Sequence, residues 1–126
     1  MVQTDIPQLS RECNDWREAL RSYREQFNSC KSELQQIAGH PLSKDLLPDV
    51  ERYHNQFHIQ LINIHDLKHA IKSHDRRLHF EASAHEGQIA EETLADHESL
   101  FDQFVSLENT LKELANEFEE FKVRAR

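Results

Sequence analysis

The chain has 126 residues with two glycines, three prolines, 30% charged side chains and a formal net charge of −8 at pH 7. That profile suits long helices better than strands and turns, and the length allows one domain with a modest core. The acidic balance argues against nucleic acid and anionic membranes as partners, because phosphate binding rests on Lys and Arg.

The charge is unevenly placed. Residues 1–80 hold 11 acidic and 11 basic side chains, whereas residues 81–126 hold 12 acidic and 4 basic. No apolar run approaches the roughly 20 residues that a membrane span needs. Met1–Ser10 lacks the basic stretch followed by an apolar run that marks a secretory leader, so the expected address is cytoplasmic.

In chain order, Leu9, Cys13, Trp16, Leu20, Tyr23, Phe27, Cys30, Leu34 and Ile37 alternate steps of four and three. Such spacing keeps side chains on one narrow seam of a helix, which must be buried against another helix. Thr4 or Asp5 can cap its start, and Pro7 is tolerated in the first turn. At the far end Gly39 can take the left-handed conformation, and Pro41 cannot continue the helix. Cys13 and Cys30 lie on the same seam roughly 25 Å apart, beyond disulfide reach, and read as two buried apolar thiols.

After a connection from His40 to Lys44, Asp45 can cap a second helix and place Pro48 in its first turn. Its ladder is Tyr53, Phe57, Ile64, Leu67, Ile71 and Leu78, with Gln60 and His74 on the missing rungs. Continued at the same phase, the ladder becomes polar through Glu81, His85, Gln88 and Glu92. A new ladder of Leu100, Phe104, Leu107, Leu111, Leu114, Phe118 and Phe121 follows, and it fades when extended backward. The phase change, with a capping-box pattern over Ser83–Glu86 between the ladders, predicts a break. The alternative is one helix from Asp45 nearly to the end, roughly 120 Å long.

The expected fold is therefore all-α: a single-domain, coiled-coil-like, antiparallel three-helix up-down-up bundle with helices at about 5–38, 46–82 and 85–124. The residues expected to carry the core are Trp16, Leu20, Phe27, Phe57, Ile64, Ile71, Phe104, Leu111 and Phe118. The layout is similar in outline to spectrin-type three-helix repeats, with a seam Trp16 and a second helix opening on Lys44-Asp45-Leu46 and Val50. It departs from them in a span from Trp16 to Asp45 about one heptad longer, and in having a single repeat.

The chemistry-bearing pattern is a histidine stripe. His54, His58, His65 and His69 form two i, i+4 pairs within an arc of about 60° beside the apolar seam. Such pairs can give two imidazole ligands to a divalent ion such as Zn²⁺, with further ligands needed from another helix or chain. The simpler reading makes them boundary residues, ring bodies on the seam and nitrogens toward water. Di-iron patterns fail, since no histidine is followed four residues later by Glu. Glycine-rich phosphate loops, CxxC, GxSxG and HExxH are absent too.

The expected function is accordingly a non-catalytic helical scaffold or protein–protein interaction module, without cofactor or small-molecule substrate. Ile59, Ile62, Leu94, Phe101 and Val105, apolar but off the seams, point to self-association as a homo-oligomer. The alternative is a metal- or pH-responsive helical protein using the histidine stripe.

Overall fold

The computed structural model describes residues 1–42 and 44–125. Three helices, α1 (Ile6–Ala38), α2 (Leu47–Ala84) and α3 (Glu91–Arg124), form the bundle; a two-residue strand pair, β1 (Val2–Gln3) and β2 (Gln88–Ile89), closes one end. The expected all-α architecture and up-down-up order are present.

Asp5 caps α1, its carboxylate accepting from the Gln8 N–H at 3.1 Å, with Pro7 in the first turn. The other end differs from expectation. Gly39 stays in the right-handed region at φ −77°, and its N–H is shared between the carbonyls of Gln35 and Gln36. Tightening the last turn satisfies those carbonyls without a left-handed residue.

Asp45 does not cap α2. It lies within a 3₁₀ turn over Lys44–Leu46, and among the described residues α2 opens at Leu47 with no side-chain cap, Pro48 supplying a pre-set φ in the first turn.

The predicted break between the second and third helices exists, but the third helix starts at Glu91 rather than near residue 85. The expected capping box over Ser83–Glu86 is replaced by a helix C-terminus. The Gly87 N–H bonds to the Ala82 carbonyl at 2.8 Å, with Glu86 at φ 53° and Gly87 at φ 85°. That six-to-one bond across left-handed residues is a Schellman-type close. The chain then pairs antiparallel with its own beginning, Val2 opposite Ile89 and Gln3 opposite Gln88. Ile89 is fully buried there.

All nine residues expected in the core are buried. Near the α1–α2 connection the core is aromatic. Phe57 meets Phe118 edge-on at 5.0 Å between centroids, and Tyr53 lies 5.1 Å from Phe121 and 5.5 Å from Phe118. The middle is aliphatic, with Leu20, Ile64, Ile71 and Leu111 inaccessible to solvent. Toward the α2–α3 turn the seams become polar, and His74, Glu81, Thr93 and His97 are all buried.

Helices α1 and α3 run parallel, and three side-chain links mark their register: Glu12 to His97 at 2.8 Å, Tyr23 to Glu108 at 3.0 Å and Glu33 to Lys122 at 2.6 Å.

Truncating Phe57, which is fully buried among other rings, removes both apolar area and edge-to-face contacts. Phe57→Ala is expected to cost about 3–5 kcal/mol and to lower the melting temperature followed by circular dichroism. An unchanged melting temperature would show that this aromatic layer does not hold the bundle.

Candidate functional site: a buried cysteine and histidine cluster

Every helix contributes one residue to the polar end of the core. Cys13 of α1 is fully buried, His74 of α2 is 6% exposed and His97 of α3 is 4% exposed. Each occupies a seam rung, which is why the helices direct all three inward. One ligand atom from each lies within 4.8 Å of the other two.

His97 is at the centre. Its Nε2 is 2.8 Å from Glu12 Oε1, so this nitrogen carries the proton and donates to the carboxylate. Its Nδ1 faces His74 Nε2 at 2.9 Å and Cys13 Sγ at 3.9 Å. Two N–H groups or two lone pairs would repel at 2.9 Å, so one proton lies between the rings. Whichever ring holds it, Nδ1 of His74 is left buried with no partner among the described residues.

Trp16 covers the other side, its ring centroid 4.9 Å from that of His97. Glu12 is itself anchored by the Gln8 amide at 3.0 Å; that bond, and then His97, hold its carboxyl below the usual range. Burial, followed by the charges of Asp75 and Glu12, pushes the Cys13 thiol up to about 12. Burial and then His97 hold the His74 imidazole below its usual range.

Two turns further along α2, the Glu81 carboxylate gathers the start of α3. It accepts from the Ala90 N–H at 2.8 Å, from the Thr93 hydroxyl at 2.7 Å and from Arg77 Nε at 2.7 Å. Burial raises its pKa, but these three donors outweigh burial and bring it down to about 2. Arg77 also reaches Asp96 at 3.2 Å.

The histidine stripe is elsewhere. His54, His58, His65 and His69 are all exposed, and among the described residues none of them joins a cluster of three ligating groups. His65 and His69 line a groove between α1 and α2 with Arg17, Arg24, Lys68 and Lys72, a setting that repels a metal cation. His54 lines a separate, apolar groove beside Leu34, Leu47 and Val50.

Sequence reasoning placed His74 on a seam rung and Cys13 among the apolar thiols, but it did not join them to His97. The available signal was polarity on the rungs themselves: His97 and Thr93 stand where the terminal ladder, extended backward, loses its apolar residues. A polar side chain on a seam rung is carried into the core and needs a partner there.

Because the folded-state pKa of Glu81 is depressed, its stabilisation is fully present above the ordinary carboxylate range. It is lost as pH falls from about 5 toward about 2. Melting temperature is expected to decline across that interval more steeply in the native protein than in Glu81→Gln; equal slopes would remove Glu81 as the acid-sensitive clamp. No protein family, no curated protein and no solved structure matches this chain.

Proposed function

We propose that the protein is a non-catalytic helical interaction module that self-associates through faces of opposite charge. Segregation of charge across the bundle carries this reading. On one side, Arg17, Arg24, Lys68 and Lys72 crowd the groove between α1 and α2. Burial, and then Arg24, Arg17 and Arg21, pull the Lys68 ammonium below its usual range. An acidic surface laid over this groove relieves that repulsion.

The complementary surface is on the same molecule. α3 carries ten acidic and three basic side chains between Glu91 and Arg124. Beside it, a long open groove between α2 and α3 is floored by Leu67 and Leu107 and edged by Asp66 and Asp102. Ile59, Ile62 and Phe101 are 45–48% exposed and supply apolar area for a contact. Since the basic and acidic faces differ, the association is head-to-tail rather than two-fold symmetric.

Light scattering at low ionic strength is expected to give a mass that is a multiple of the monomer and rises with concentration. Salt should lower it, because screening shortens the reach of exposed charges to about 10 Å at 0.1 M. Lys68→Glu combined with Lys72→Glu should give a monomer under all these conditions. A native protein that is monomeric at every salt and protein concentration would defeat the proposal.

A further inference from the structure

We propose that Cys13, His74 and His97 bind a single divalent transition-metal ion of the zinc class, with Glu12 as the carboxylate that orients His97. The inference is independent of self-association.

The geometry is close to what such an ion requires. Zinc-class bonds of about 2.0–2.3 Å at tetrahedral angles separate two nitrogens by about 3.3 Å and a nitrogen from a sulfur by about 3.6 Å. The corresponding separations are 2.9 Å from His97 Nδ1 to His74 Nε2 and 3.9 Å from His97 Nδ1 to Cys13 Sγ. Those two pairs need adjustments of a few tenths of an ångström, and the Cys13 sulfur and the His74 nitrogen, within 4.8 Å of each other, close by about 1 Å around the ion.

The surroundings have the second layer that metal histidines use. A ligating imidazole commonly donates its other ring N–H to a carboxylate, which fixes the tautomer and strengthens the ligand. His97 does this toward Glu12, and Gln8 holds Glu12 in turn.

The donors are already ordered in the core: Cys13, His74 and His97 are 0%, 6% and 4% exposed, so little side-chain freedom is lost when an ion is bound. Charge also balances: the Cys13 thiolate and the Glu12 carboxylate together neutralise a dication, whereas a buried unpaired charge is costly. An open groove of about 290 Å³, lined by Ser73, His74, Asp96 and Gln103, gives an ion a route to the site.

Binding converts the thiol to the thiolate, its proton leaving to solvent, while His74 moves its proton from Nε2 to Nδ1. Each ion therefore releases one proton. Three protein ligands leave the fourth position for water or another small donor.

The test titrates the reduced full-length protein with Co²⁺ alone and then with Zn²⁺. Expected are one Co²⁺ per chain, a thiolate-to-cobalt charge-transfer band with tetrahedral-type visible bands, and loss of all of them on adding Zn²⁺. Cys13→Ser and Cys13→Ala should abolish the charge-transfer band, and Glu12→Gln should weaken binding about 10–100-fold. Cys30→Ser and the pair His65→Gln with His69→Gln should leave it intact, with helicity by circular dichroism checked for every variant. A native protein that binds Co²⁺ without a charge-transfer band, or not at all, overturns the proposal, and so does a band that persists in folded Cys13→Ser.

Discussion

A single carboxylate ties down the reversal of the chain. Residues 49–126 contain no proline, and their only glycine is Gly87; on local propensity alone they could form one rod. Glu81, near the end of α2, accepts from a backbone N–H and a hydroxyl at the start of α3, 9 and 12 residues ahead. Those bonds form only if the chain has already reversed. Their presence in a partly buried setting makes the reversed arrangement the one in which this carboxylate is satisfied, and adds to the buried apolar seams that hold α2 and α3 antiparallel. Arg77, one turn earlier on α2, completes the clamp by bonding both Glu81 and Asp96.

The core that this reversal creates is graded along its length. Aromatic rings fill the end at the α1–α2 connection, branched aliphatics fill the middle, and a polar network fills the end at the α2–α3 turn. The grading divides labour between adhesion and specificity. Apolar layers contribute in proportion to buried area and tolerate sliding by a turn, whereas polar groups are satisfied in one register only. The links from Glu12 to His97, Tyr23 to Glu108 and Glu33 to Lys122 extend that specification along the parallel pair α1 and α3, each costing most when its partner is misplaced.

The seams were legible in the sequence because helix burial has a period, and Trp16, Phe57, Ile71 and Phe118 all lie where that period puts them. The ends of the helices were less legible. Gly39 does stop α1, but in a right-handed rather than a left-handed conformation, and Asp45 sits inside a 3₁₀ turn instead of capping α2. The turn near residue 87 was visible as a change of phase. Its pairing with Val2 and Gln3 was not, because two-residue strands carry no periodicity. For the candidate site the limit was distance. Cys13, His74 and His97 come from three helices, and only their packing brings the three together. The histidine stripe, by contrast, was conspicuous because its members are neighbours on one helix, and the structure leaves all four on the surface.

The separation between Cys13 and His97, 84 residues along the chain, also bears on the order of folding. Most contacts in a helical hairpin are local and close short loops, so α1 with α2, or α2 with α3, can pair early and fast. The cysteine and histidine cluster needs all three helices and a loop closure of 84 residues, which places it among the last contacts to form. A late contact has little influence on the rate of folding and a large influence on the rate of unfolding. Whatever tightens this end of the bundle therefore acts as a latch on the folded state: it lengthens the lifetime of the assembled molecule while leaving the speed of assembly unchanged.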